Sequence, residues 1–473
     1  MKKILALVLT VSILSSCGDL TELNVDTKSP QTVPAGSLFA NATKELSDWM
    51  SSSNVNENNW RLWSQQWTQT TYVDESNYEL IERDVNGNFW DRMYATVLRD
   101  LAEARLAVDA DEILLADYKK NQLAMIDVLE VYTYAVLVDV WGDVPRSEAM
   151  SETVTPVYDD DKAVYDAIIT QLNAAIGNLG GDSGMGASDL LYGGDADMWK
   201  KFANSLKLRL AIRLADSDNA RAKTMAEEAV TSGVFASSAD DCELAYMPST
   251  PNTNPVWEDL VESGRSDFVA ANTMGDYMNA LADPRRAFYY RNLGGADSVF
   301  GGVYGEPSSY PAHSQPSDLM EDPTLPGVLL SYTEVSFLLA DASERGYAVG
   351  GTAEEHYNNG VSASIIEWGG DQDMADAYLA TADVAYSTAQ GTWKEKIALQ
   401  KWLAMYNQGF EAWSTYRVYD APVLNAAAEA GTTPPTRYTY PIDESSLNGD
   451  NVDAAKAKFG NDDSFAKIFW DVN

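Results

Sequence analysis

Cysteine and histidine are scarce in this 473-residue chain, with two of each, Cys17, Cys242, His313 and His356. That leaves almost nothing for a zinc site or a disulfide framework. Positive charge is also short: 33 Lys plus Arg stand against 71 Asp plus Glu, a formal charge of −38. A nucleic-acid partner needs a cationic face to displace counterions, and this composition excludes one. Anionic membranes and polyanionic substrates are disfavoured for the same reason. The chain has no Gly-x-Ser-x-Gly elbow, no His-Glu-x-x-His and no phosphate-loop lysine, so the common hydrolase and nucleotide signatures are missing. What is present is apolar and aromatic residues, 45% and 11% of the chain. That is enough to bury a large core and to rule out disorder as the main state.

The N-terminus is the most informative short stretch. Lys2 and Lys3 precede an apolar run from Ile4 to Leu14, then Ser15, Ser16 and Cys17. This pattern is a secretory signal over residues 1–16, too short for a permanent membrane helix. Leu14-Ser15-Ser16-Cys17 resembles the lipobox of bacterial lipoproteins, in which the cysteine sulfur takes a diacylglycerol; an ordinary signal peptide with an incidental cysteine is the blander alternative. On the lipobox reading Cys17 is the lipid attachment site, residues 17–34 are a polar tether and residues 35–473 form one domain. Asp19, two residues on, resembles a surface-export signal. Cys242 is then a lone thiol, read as a buried structural cysteine because neither histidine lies in a catalytic context.

From Pro34 onward the apolar spacing is helical. Leu38, Ala42, Leu46 and Trp49 form one stripe; Trp60, Trp63 and Trp67 form another; Trp90 to Ala104 continues the series. Leu123 to Val140 is apolar around most of its circumference, as a central helix would be. Tyr158–Leu179, Met198–Ala215, Ala220–Val230, Tyr332–Arg345, Ala353–Glu367 and Trp393–Arg417 follow. Between about 239 and 326 the periodicity weakens and Gly, Pro, Ser, Tyr and Phe dominate, which marks a functional, loop-rich insertion. Helix–turn–helix units of roughly thirty to forty residues suit tetratricopeptide-like stacking, although the strict repeat signature is absent. The expected fold is all-α: a helix-turn-helix scaffold carrying long irregular loops.

Several motifs together carry a resemblance. Gln65 to Tyr72, Asp139-Val140-Trp141-Gly142-Asp143-Val144-Pro145, Tyr192 to Asp195 with Trp199 to Arg209, Asp283-Pro284-Arg285 and Tyr332 to Ala340 occur in order. Tyr357 to Val361, Gln400-Lys401-Trp402 with Glu411-Ala412-Trp413, and Arg437 to Pro441 complete the set. In this sequence of motifs the chain resembles the SusD-like branch of the SusD/RagB family of Bacteroidetes outer-membrane lipoproteins. Arg417-Val418 departs from the family, which often has two arginines before a small residue and a proline. Most of the motifs read as structural. The tryptophan stripe is core, Arg209 and Arg213 are ion-paired on one helical face, and Asp159-Asp160-Asp161 is an acidic helix start.

The resemblance implies a nutrient-binding lipoprotein at the cell exterior, working with a SusC-like TonB-dependent transporter as its partner. Oligosaccharide is the favoured ligand, oligopeptide binding of the RagB type is the alternative, and a surface glycoside hydrolase is the third reading. No enzyme activity, cofactor or nucleic-acid partner is expected. The calcium question stays open, since no EF-hand pattern is present. Loops on a rigid scaffold are the natural place for a specificity site. The insertion offers Trp257, Phe268, Phe300, Tyr304 and Tyr310 as stacking faces, with Asn254 and Arg265 to hydrogen-bond hydroxyls or amides. The loop after the tryptophan helix adds Tyr72, Asp74 and Tyr78. Against this stands the expectation that many of these aromatics simply pin the loops down.

Overall fold

The computed structural model describes residues 33–473, apart from Asp182 and Ala296. Cys17, the signal segment and nearly all of the tether therefore lie outside the described residues. The first half of the chain forms helices Ala35–Ser51 (α1), Trp60–Trp63 (α2), Val85–Arg92 (α3), Arg99–Ala110 (α4), Ala116–Trp141 (α5), Asp161–Asn178 (α6), Ala196–Leu214 (α7) and Asn219–Ser232 (α8). The second half adds Asn272–Ala280 (α9), Arg286–Tyr289 (α10), Tyr332–Glu344 (α11), Ala353–Glu367 (α12), Gln372–Leu379 (α13), Trp393–Ala404 (α14) and Gly409–Tyr419 (α15). Glu444–Leu447 (α16) and Gly449–Lys458 (α17) follow.

Local chemistry sets the ends of these helices. Asp160, Asp195 and Ser331 each accept a backbone N–H as N-cap of α6, α7 and α11. Thr352 with Glu355, and Thr392 with Glu395, close reciprocal capping boxes on α12 and α14. Helix α5 is buried on nearly every face from Ala124 to Trp141 and stops at Gly142, whose φ is +87°. A Cβ there would also strike the Phe459 ring at 2.3 Å, so glycine is required twice over.

Pairs α5/α6, α7/α8, α11/α12 and α14/α15 pack internally, and successive pairs pack on one another. This is the helix-pair stacking expected of a tetratricopeptide-like scaffold. One hydrophobic core runs through the stack, with Trp60, Trp63, Trp67, Trp141, Trp199, Trp402 and Trp413 essentially inaccessible. All three tryptophans of the stripe are core, but the helix ends at Trp63 and Trp67 opens a strand, which corrects the expectation of a single helical face.

A charged network threads this core. Arg209 donates to Glu334 at 2.8 and 2.5 Å, and Arg213 to Glu411 at 2.7 Å and Asp139 at 3.3 Å. Lys401 donates to Glu411 at 2.8 Å. These groups come from α5, α7, α11, α14 and α15, so a single polar cluster joins all four helix pairs. Every one of these side chains is buried, and the paired charges cancel.

The insertion is more regular than its composition suggests. It contains α9 and two strands of three residues each. Cys242–Leu244 (β1) pairs antiparallel with Gly327–Leu330 (β2), and Phe268–Ala270 (β3) pairs antiparallel with Trp67–Gln69 (β4). Cys242 is buried, as expected, and burial pushes its thiol well above its ordinary range. Among the described residues no helix is long and apolar enough to cross a membrane.

Candidate functional site

The pairing of β3 and β4 ties the insertion to the tryptophan segment, with Phe268 opposite Gln69 and Trp67 opposite Ala270. A cleft of about 220 Å³ opens beside this junction. Its walls are the Ser53–Asn56 turn, Thr71 and Tyr72 beyond β4, Arg83, and Asp259, Arg265 and Asp267 ahead of β3.

Each wall is held from behind. Phe268 packs against Trp67 with ring centroids 5.4 Å apart, and the Arg61 guanidinium lies over the opposite side of the junction, 4.7 Å from the Trp67 ring. Gln69 donates to the buried carboxylate of Glu75 at 2.5 Å and accepts from the Ser76 amide and hydroxyl at 3.0 and 2.8 Å. Arg83 also donates to Glu75 through Nε, which fixes the guanidinium and leaves its terminal nitrogens without partners among the described residues. Arg265 is held in the same way by Asp267. Asn54 accepts from the amide and side chain of Asn56 at 3.0 and 2.8 Å, making a rigid polar turn.

At the base, Asp259 accepts from Ser53 Oγ at 2.8 Å and has no salt-bridge partner among the described residues. Burial pushes its carboxyl up to about 6, against the lowering effects of Ser53 and Arg61. Neighbouring Glu57 is pushed up to about 7, again chiefly by burial. Tyr72, 60% exposed, is the accessible aromatic ring on the wall. The cleft thus offers one ring face, two guanidinium ends, an available carboxylate and side-chain amides. That set hydrogen-bonds a hydroxyl-rich or amide-rich neutral ligand and stacks on one apolar face.

The structure brings Tyr72, Phe268 and Arg265 together on this cleft. It distributes the other expected residues elsewhere. Asn254 is fully buried: its side chain donates to Leu325 O at 2.6 Å and accepts from Val256 N at 2.7 Å, capping the Pro255–Trp257 turn. Its amide is committed to the chain, which corrects the expectation that it faces a ligand. Tyr304 is 1% exposed and packs on Tyr78, Ala271 and Ala427; it anchors its loop. Tyr78 is half-buried and meets Trp63 edge-on at 5.9 Å. Trp257 and Tyr310 are half-buried and Asp74 and Phe300 are exposed, all outside the cleft lining. Ser53, Asn54, Asn56, Arg83, Asp259 and Asp267 escaped the sequence reading. Small polar residues and ordinary charges carry no periodic signal, and the proximity of Ser53 to Asp259 exists only in the fold.

One group of carboxylates among the described residues is close enough to share a metal: Asp143, Asp160 and Asp161. The Lys458 ammonium sits among them at 2.5, 2.9 and 2.8 Å, so the centre is filled by a protein cation. A larger groove of about 530 Å³ lies apart, between α3, α4, residues 145–156 and α16, and none of the expected ligand residues lines it.

A rigid stack of helix pairs carrying a polar, one-aromatic cleft on inserted loops defines a class of helical-scaffold proteins with a loop-built cleft. The chain belongs to the SusD-like family, whose model, described as "Starch-binding associating with outer membrane", matches residues 27–441. Among solved structures it is similar to a protein titled chitin-binding protein (26% identity, TM-score 0.81, covering 93% of this chain and 100% of that one). It is also similar to a chitin-binding SusD homolog from Flavobacterium johnsoniae (25% identity, TM-score 0.76, covering 91% and 99%). A SusD homolog from Parabacteroides distasonis shares the fold at 21% identity and TM-score 0.81, covering 93% and 98%. No curated protein matches the chain in sequence.

Proposed function

We propose that this protein captures oligosaccharides at the outer-membrane surface and passes them to a SusC-like TonB-dependent transporter, without turnover of its own. Lipid at Cys17 would hold it at the membrane, facing the cell exterior. The observation that carries the ligand class is the cleft: an exposed Tyr72 ring beside the fixed guanidinium ends of Arg83 and Arg265 and the free carboxylate of Asp259. Sugars present apolar C–H faces ringed by hydroxyls, and this lining matches both parts. Similarity to the two chitin-binding proteins favours N-acetylated glycans as first candidates, whose amide suits the Asn54 and Asn56 side chains. Oligopeptide is the second reading, because the same amides and guanidinium groups would also serve a peptide backbone.

Calorimetric titration of the mature protein with chito-oligosaccharides, malto-oligosaccharides and mixed oligopeptides tests the assignment. Tyr72→Ala should weaken glycan binding about tenfold or more, as loss of one stacking ring does, with an unchanged melting temperature. Tyr304→Ala should lower the melting temperature by several degrees and leave intrinsic affinity intact. Peptide binding with no glycan binding would replace the first reading by the second; cleavage products from any of these would overturn the non-enzymatic one.

A further inference from the structure

The large groove between α3, α4, residues 145–156 and α16 has a chemistry unlike the cleft. Its body is apolar, built from Trp90, Tyr94, Leu106, Met150, Val154 and Leu447. Several of these are unusually bare for large apolar side chains: Leu106 is 69% exposed, Val154 90% and Leu447 68%. Clustered exposed apolar groups around a concavity mark a contact surface, whereas scattered ones mean little.

One end of the groove is acidic. Glu444 lines it; Asp443 precedes Glu444 in the chain, Asp91 follows the lining residue Trp90 on α3, and Asp84 stands at the N-cap of that same helix. None of the four enters a salt bridge among the described residues; Glu444 is half-buried, and Asp84, Asp91 and Asp443 are exposed. Glu444 accepts a hydrogen bond from Tyr158 at 2.5 Å. Lys456, whose charge reaches Glu444, gives its ammonium to Ser445 Oγ at 2.7 Å, and Arg99 at the groove's side faces Glu103 at 3.5 Å. Burial and mutual repulsion push the carboxyls of Glu444 and Asp91 up, as expected for anions awaiting a counter-charge.

The occupant must therefore combine an apolar body with positive charge. A second copy of this chain is disfavoured, since it would bring a formal charge of −38 and the same acidic rim. An anionic lipid surface is repelled for the same reason. We infer that the groove is a docking site for a partner polypeptide segment, apolar in its centre and carrying lysine or arginine where it meets Asp84, Asp91, Asp443 and Glu444. Docking here is separate from the cleft and does not depend on what the cleft binds.

The test uses the mature protein with fluorescently labelled synthetic peptides, a leucine-rich core flanked by lysines beside the same core flanked by glutamates. The lysine peptide should bind at least about tenfold more tightly, with an affinity that falls as salt rises. Leu106→Glu and Val154→Glu, both at exposed positions that leave folding unchanged, should abolish that binding. Asp91→Asn combined with Asp443→Asn should cut the preference for lysine over glutamate severalfold, and adding Glu444→Gln should cut it further; an unchanged preference in the triple variant overturns the inference. Equal binding of the two peptides, or no binding of either, overturns the inference. Saturation by dodecylamine with no binding of the lysine peptide also overturns it, because the site would then be one for a small amphiphile. Titration of the cleft with chito-oligosaccharide in the same Leu106→Glu protein should be unaffected, so the two assignments fail separately.

Discussion

The charged network inside the helix stack makes a sharp prediction, because its balance can be broken one charge at a time. Arg209, Arg213 and Lys401 face Asp139, Glu334 and Glu411, and all are buried. Arg209→Met strands Glu334, which keeps only Lys401 at 3.7 Å, and also removes a donor to Leu329 O. Glu334→Gln leaves Arg209 with Glu411 at 3.7 Å. Removing one partner of a buried pair costs about 3–5 kcal/mol, because an uncompensated charge is left in low dielectric. The double variant Arg209→Met with Glu334→Gln removes one charge of each sign. Its cost should fall short of the sum of the singles by about 2 kcal/mol or more. Glu411→Gln should be the most damaging of the glutamate changes, since Glu411 receives Arg213 at 2.7 Å and Lys401 at 2.8 Å. Equilibrium urea unfolding of the four proteins, extrapolated linearly, measures these differences. Strict additivity would refute the charge-balance argument, and single costs below about 1 kcal/mol would show that the network is only an ornament of the core.

Lys458→Met should destabilise by about 1–2 kcal/mol at pH 7, between the exposed and buried limits for ion pairs. The loss should shrink at pH 4 as Asp143, whose carboxyl burial holds above its ordinary range, protonates; thermal melts at both pH values decide it, and equal losses would count against an electrostatic latch. Asp259 tests the sign of burial. Its folded carboxyl titrates near 6 and its unfolded one near 3.8, so the folded state holds the extra proton in between and stability falls as pH rises through that window. Asp259→Asn should therefore stabilise the protein at pH 8, by on the order of 1–3 kcal/mol, and do little at pH 3.5. Denaturant titrations at the two pH values check this. Cys17→Ala should abolish incorporation of a labelled fatty acid; a labelled mutant would end the lipid-anchor reading.

The parts of the fold that were legible in the sequence are those with a period. The Trp60/Trp63 pair, the all-round apolar Leu123–Val140 run and the Arg209/Arg213 face all follow from helical spacing, and the structure places them in the core; Trp67 is core as well, but on a strand. What escaped lacks a period. The strands Trp67–Gln69 and Phe268–Ala270 are too short for alternation to show. Helix α9, with Gly275 and two asparagines in nine residues, reads as loop by propensity. It is helical because Met274 and Met278 are buried against the core, a tertiary override. In the cleft, Tyr72, Phe268 and Arg265 were visible as aromatics and a cation on a loop. Phe268, Tyr304 and Asn254 had the same sequence appearance and are buried, whereas Tyr72 and Arg265 are exposed.

The location of the SusD-like motifs explains why family membership and ligand identity are legible to such different degrees. Asp139, Arg209, Glu334, Lys401 and Glu411 each belong to one of the motifs that mark the family, and each lies in the buried network rather than the cleft. Arg285, in the Asp283-Pro284-Arg285 motif, is likewise buried, bound to Asp283 at 2.6 Å and Gln400 at 2.9 Å. A motif of this kind specifies the joint between helix pairs, because a buried charge tolerates few replacements. The cleft is built mostly from residues outside those motifs, Ser53, Asn54, Asn56, Arg83, Asp259, Arg265 and Asp267, with Gln69, Thr71 and Tyr72 the exceptions. Asn56, Thr71, Tyr72 and Arg265 among them are exposed, so exchanging these carries little cost in stability. On the proposed function, the same scaffold can then present different clefts, with ligand identity set by loop residues that lie outside the family motifs.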